Sequence, residues 1–328
     1  MSSGLTSPAL PTRDAIVATA QESIARGSQS FAAASRLFDR GTRERAWLLY
    51  AWCRRCDDIA DGQEHGHGMT LVEDAPARLE RLLAMTEAAL AGTWVGDPAF
   101  DALRIVAAET KMPPHFARDL IAGFALDAKD WRPRTEDDLY TYCYHVAGAV
   151  GCMMAVVMGV SPDDEATLDR ACDLGMAFQL ANIARDLAED DRVGRCYLPA
   201  DWLVEMDIPT GELMNPAHRQ KLAVLGARLA DRAAAFEASA RFGTPKLSFR
   251  SAWAVLAAAE IYGAIGSEVA ARGERAWDSR VSTSAAAKVG MIVRAAAEAL
   301  RRRSLYPPAA RSAALWTRPR YPSSGSPG

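Results

Sequence analysis

Two short stretches carry most of the side chains that could do chemistry. The first, "YAWCRRCDDIAD" (50–61), holds Asp57, Asp58 and Asp61. The second, "FQLANIARDLAEDD" (178–191), holds Asp186 and Asp190, with Glu189 and Asp191 beside them. On a helix, positions three, four, seven or eleven apart share a face. Tyr50, Arg54, Asp57 and Asp61 then form one polar stripe, and Gln179, Asn182, Asp186 and Asp190 form another. Each stripe ends in two carboxylates one turn apart, which repel each other when both are ionised. Cations relieve that repulsion. Carboxylates, an amide oxygen and water are hard ligands, suited to Mg²⁺ or Mn²⁺. Asp58, about 100° round the helix from Asp57, is a further oxygen candidate. Mg²⁺ commonly completes its shell with substrate phosphates, so two facing stripes would make a cage for a metal–diphosphate cluster. One such motif alone would more often be an exposed acidic helix end; the matched pair favours function.

The first stretch also reads as a C-x-x-C, through Cys53 and Cys56. A zinc site needs two further ligands. Cys143, Cys152, Cys172 and Cys196 form no second C-x-x-C, and "HGH" (65–67) lies beyond the acidic patch. The cysteines are read as small core residues.

The elements that must position these groups read as helices. Ala, Leu, Arg, Glu and Met dominate, and alternating β-branched runs are missing. The pattern predicts helices over 13–26, 43–60, 75–91, 101–111, 114–128, 136–159, 162–191, 218–240, 250–272 and 284–303, with Ser161 as the N-cap of the long acidic one. The stretch Tyr140–Pro162 has no Asp, Glu, Lys or Arg and is nearly long enough to span a bilayer. Its tyrosines, histidine and small residues favour a buried central helix. Gly148 and Gly151 within it suit close helix packing or a tunnel for a long apolar chain.

The 328 residues are 49% hydrophobic, enough for a sizeable core. A net charge of −3 argues against a nucleic-acid binder. Six scattered cysteines fit a reducing cytosol, and "MSSGLTSPALPTRD" has no signal-peptide pattern. Residues 1–12 read as a disordered start, 13–303 as one domain, and 304–328 as a basic, Pro-rich, flexible tail. Arginines beside Trp316 and Tyr321 make that tail a candidate for peripheral contact with an anionic membrane. The expected location is cytoplasmic, with such a contact as the sharper alternative.

The blocks "GSQSF" (27–31), "YAWCRRCDDIAD" (50–61), "YCYHVAGAVG" (142–151) and "FQLANIARDLAEDDRVGRCYLP" (178–199) occur in an order that closely resembles the squalene/phytoene synthase family. Within it, "LDRACDLGMAFQLANIARD" and "GRCYLPADWL" look like the bacterial phytoene-forming branch. The resemblance implies an all-α isoprenoid synthase fold, a single helical domain around a central cavity. It implies a prenyltransferase that condenses two geranylgeranyl diphosphates to phytoene in carotenoid biosynthesis, with Mg²⁺ and without NADPH. By the same carry-over, Asp57 and Asp61 hold one part of the metal cluster, and Asn182, Asp186 and Asp190 the other. Arg54, Gln179, Arg185, Arg195, Tyr197, Tyr262 and Arg280 contact diphosphate or shape the reacting centre. Ser28 and Ser30 belong to a flap over a diphosphate, though Gln29 stands where relatives often carry Lys. Phe31, Tyr50 and Tyr142 line the cavity near cationic intermediates. Downstream carotenoid enzymes are implied partners. The rival readings are squalene or dehydrosqualene synthesis from farnesyl diphosphate and, from another class, an inactive family member serving as an assembly factor.

Overall fold

The computed structural model describes residues 10–27, 32, 34–61, 75–129 and 131–321, with Asp61 described in its backbone only. Among the described residues every regular element is helical. In chain order the helices are α1 (Arg13–Gly27), α2 (Arg40–Asp61), α3 (Ala75–Leu90), α4 (Pro98–Thr110), α5 (Pro114–Asp127), α6 (Glu136–Cys143), α7 (Ala149–Val157), α8 (Glu165–Arg192), α9 (Ala200–Glu205), α10 (Arg219–Arg241), α11 (Phe249–Arg272) and α12 (Ala285–Leu305). A π-helical turn, Tyr144–Gly148, joins α6 to α7.

Start signals explain most boundaries. Thr135 opens α6 with a reciprocal capping box to Asp138. Ser248 and Ser284 cap α11 and α12. The expected cap at Ser161 is corrected: Asp164 caps α8, accepting from the Thr167 amide at 3.1 Å and from its hydroxyl at 2.8 Å. A carboxylate at that end also meets the positive pole of the helix. The short helix α9 falls in a stretch where the sequence pattern predicts none.

The apolar stretch from Tyr140 is the central element. The π-turn and α7 pack on α8 from one side, and α7 also packs on α2. Small residues permit the crossing with α8. A Cβ on Gly175 would collide with the Ala147 carbonyl, and one on Gly151 with that of Ala171. Gly148 belongs to the same crossing: its Cβ would lie 2.9 Å from the Cys172 sulfur. Close packing is therefore what these glycines serve. Around them, Trp52, Tyr144, Phe100, Phe116 and Phe236 are fully buried.

Residues 306–321, expected from composition to be a solvated tail, lie along α8 and α5. Arg311 donates to both oxygens of the fully buried Asp173, at 2.6 and 2.9 Å. Arg318 is buried over the Phe116 ring, paired with Asp169 at 3.0 Å and with Glu165. Arg320 reaches Asp169 at 2.6 Å, and the Tyr321 hydroxyl donates to Asp119 at 2.6 Å. These arginines pair with carboxylates of α8. Residues 322–328 and 1–9 lie outside the described residues.

Candidate active site

Helix α2 presents the first stripe. Tyr50, Arg54 and Asp57 are each half-buried, whereas Trp52 and Cys56 between them are buried. Arg54 binds Asp57 and Asp58, each at 2.9 Å. Asp58 is itself buried, at the edge of the stripe, about 40° round the helix from Arg54. Gly27, the last residue of α1, matters here: a Cβ would lie 2.5 Å from the Tyr50 hydroxyl. Only glycine lets that hydroxyl approach. Burial raises the Tyr50 pKa, so its proton stays on oxygen at neutral pH.

Helix α8 presents the second stripe. Gln179, Asn182, Asp186 and Asp190 are half-buried, while Leu180, Ala181, Ile183, Ala184, Leu187 and Ala188 are buried. That alternation is what a stripe facing a wet space requires. Arg185 grips Asp186 with two nitrogens, one at 2.7 Å. Burial pulls the Arg185 pKa down, but the Asp186 carboxylate outweighs this and holds the guanidinium charged. Arg280 reaches Asp186 at 3.1 Å from the far end of the chain. The Trp277 indole, donating to the Ala184 carbonyl at 2.9 Å, anchors the segment that delivers it.

Asp190 is the least compensated group. Burial, and then the Asp186 carboxylate, push its pKa up to about 6, against the pull of Arg195. Glu189 and Asp127 add to the same negative field. Among the described residues, no three Asp, Glu, His or Cys side chains stand close enough together to hold one ion. The donor set nonetheless fits a divalent cation. Half-buried carboxylates crowd one another here; burial, and then the Asp186 charge, keep the Asp190 proton in place to about pH 6, and the added positive charge would release it.

An aromatic wall stands beside the second stripe. Trp131, Tyr142 and Tyr197 stack in sequence, with ring centroids 5.7 and 4.8 Å apart. Tyr142 and Tyr197 both donate to Asp127, at 3.2 and 3.0 Å. Burial raises both tyrosine pKa values, and Asp127 adds to it, so the two hydroxyls remain donors. Tyr262 stacks on Phe178 at 4.1 Å. The loop carrying Tyr197 is fixed by backbone bonds from Ala200 to the Pro133 carbonyl and from Asp201 to that of Arg134, each 3.0 Å.

Three contributors escape the sequence reading. Asp127 ends α5, where the helix dipole disfavours a carboxylate; that misplaced charge was a legible signal. Trp131 follows it with no pattern of its own. Arg78, on α3, has Nε and Nη2 buried without a hydrogen-bond partner among the described residues. It lines a void of about 10 Å³ with Ile59, Ala60, Phe124 and Ala128, at the ends of α2 and α5. Of the sequence candidates, Ser28, Ser30 and Phe31 lie outside the described residues, as does the Asp61 side chain. A cavity of about 740 Å³ lies between residues 309–316 and α10 and shares no lining residue with either stripe. All six cysteines are free, and burial raises the Cys53 and Cys56 pKa values, which suits inert core thiols.

The fold defines the class. The chain superposes, over 87% of its length and 96% of the other's, on a crystal structure of a dehydrosqualene synthase in complex with ligand, with a TM-score of 0.77 and 27% identity. This is the all-α isoprenoid synthase fold. Residues 24–287 match the squalene/phytoene synthase family. The 15-cis-phytoene synthase of Enterobacter agglomerans is 46% identical over 295 residues, covering 89% of this chain and 99% of that protein. A 15-cis-phytoene synthase from a Paracoccus species is 46% identical over 306 residues, covering 93% and 99%. The chain belongs to the squalene/phytoene synthase family, whose members use prenyl diphosphates and generally need a divalent metal.

Proposed function

We propose that this enzyme condenses two geranylgeranyl diphosphates head to head, through a cyclopropyl diphosphate, to phytoene, releasing two diphosphates and two protons, one of each in each step. The observation that carries the reading is near-full-length similarity to two 15-cis-phytoene synthases in a chain that keeps both acidic stripes. Asp57 and Asp61 on α2, with Asn182, Asp186 and Asp190 on α8, would hold Mg²⁺; Mn²⁺ suits the same oxygens. The bound metal supplies Lewis acidity to the leaving diphosphate. Asp58, buried against Arg54 at the edge of that stripe, would add a further oxygen to the same set.

The chain's own residues do the rest. Arg54, Arg185, Arg195 and Arg280 stand beside the carboxylates, where they can receive a diphosphate as its charge builds. Gln179 offers an amide on the same face. Tyr142, Tyr197 and Trp131 wall off water, and ring faces attract a passing allylic cation. Asp127 holds two of those rings in place. Departing diphosphate can accept the final proton, and no reductant is needed for phytoene. We assign the reaction to the cytoplasm, with the enzyme peripheral to a membrane that can take up a hydrocarbon product and hold the carotenoid enzymes that consume it.

The test is product analysis with geranylgeranyl or farnesyl diphosphate, each with and without NADPH. Phytoene from the C20 substrate, indifferent to NADPH, is expected. A C30 product favoured from farnesyl diphosphate would replace this reading with the squalene-type one, which the likeness to a dehydrosqualene synthase keeps in view.

A further inference from the structure

Helix α12 is the outermost member of its layer. It packs chiefly on α11, and only Ala295 and Ala299 of its 21 residues are buried. Four of the eleven large apolar side chains most exposed among the described residues sit on it: Val289 (61%), Val293 (64%), Leu300 (73%) and Leu305 (39%). Single exposed apolar residues are ordinary, but these are not scattered. Val289, Val293, Ala297 and Leu300 follow one another at spacings of four, four and three, a continuous outward stripe.

Charge frames the stripe. Helix α12 carries Lys288, Arg294, Arg301, Arg302 and Arg303 against one acid, Glu298. Glu298 turns inward, bound to Arg241 and to the Tyr306 hydroxyl. Arg294 is held by Glu260 and Arg302 by the Leu247 carbonyl. Arg301 and Arg303 are exposed and flank the apolar stripe on opposite sides. The layer beneath is apolar as well. Phe249–Arg275 is long and apolar enough to cross a membrane by composition, yet only 39% of its most apolar window is buried. Phe249 itself is 36% exposed, at the end of α11 that Arg302 ties to α12.

We infer that the outer face of α12 docks on an anionic lipid bilayer, the helix lying in the plane of the interface. An apolar stripe with basic flanks is the pattern such helices share, and about 30 Å of helix is enough to lie along it. A second copy of the chain fits less well, because the one acid of α12, Glu298, turns inward to Arg241 and offers Arg301 and Arg303 of a facing α12 no counter-charge. The inference rests on the membrane contact proposed above and moves it from residues 306–321, whose arginines bind α8, to this helix.

The experiment is flotation of the full chain with vesicles of phosphatidylcholine, with and without phosphatidylglycerol. Three proteins are compared: the natural chain, Val293→Asp/Leu300→Asp, and Arg301→Glu/Arg303→Glu. The natural chain is expected to float only with the anionic vesicles, and less at high salt. Each double variant should lose about tenfold or more in partitioning, while keeping its helical circular dichroism and its turnover of detergent-dispersed substrate. No flotation of the natural chain would sink the membrane contact itself. Flotation undiminished in both variants would show that the bilayer is met by another face. A dimer of the natural chain that the Val293/Leu300 variant splits, without vesicle binding, would make this face a protein interface and overturn the proposal. Turnover is read separately, so loss of the condensation reading would show there and not in flotation.

Discussion

Asp190 shows at the scale of one residue how a metal site is built at the expense of stability. Its folded pKa of about 6 lies above the unfolded value of about 3.9. The folded state therefore keeps the extra proton between those values, and stability falls as pH rises through that window. Asp190→Asn should raise the melting temperature of metal-free protein at pH 7, and the gain should vanish near pH 4. Thermal melts in EDTA at the two pH values check it; no gain at pH 7 would mean the carboxylate is already compensated. The cysteines make the opposite case. Cys53 is half-buried and Cys56 buried, and among the described residues neither has companion ligands, so Cys53→Ser with Cys56→Ser should leave metal content and turnover near the natural level. Zinc at one per chain, lost in the double variant, would restore the C-x-x-C reading.

Helices are where strong periodicity spoke most clearly. The acidic stripes were legible because each repeats at helical spacing, and the structure sets them half-open on α2 and α8 with buried residues between. The apolar stretch from Tyr140 was legible as a central helix, although not its π-helical turn, since nothing in "YHVAG" marks the widened register. Residues 306–321 were illegible for a physical reason: Pro, Arg and Ser composition speaks of solvent, while what fixes the segment is a partner more than a hundred residues away. That segment should matter for stability. Asp173 is fully buried, and burial raises its pKa even with Arg311 and Ser239 bound. Arg311→Ala should cost about 3 kcal/mol, because one partner of a buried pair is left uncompensated. Urea unfolding measures this; a change under about 1 kcal/mol would mean solvent enters and replaces the guanidinium.

Over the whole molecule, α7 and the π-turn hold the two carboxylate helices in one frame while the aromatic wall closes one side. The stripes were read from sequence, but the wall was only partly so. Tyr142 and Tyr197 came through the family resemblance; Asp127, which binds both, was marked only by its charge at a helix C-terminus, and Trp131 by nothing until its stacking on Tyr142 is seen. Both stripes serve one diphosphate chemistry in the proposed reaction. The most direct measurement is steady-state turnover across a Mg²⁺ titration for Asp57→Asn and for Asp186→Asn. Helical content should stay unchanged, and each variant should fall by about three orders of magnitude at saturating metal, matching the roughly 4 kcal/mol that Lewis-acid stabilisation supplies. Near-natural turnover in either variant at saturating Mg²⁺ would contradict the shared metal site.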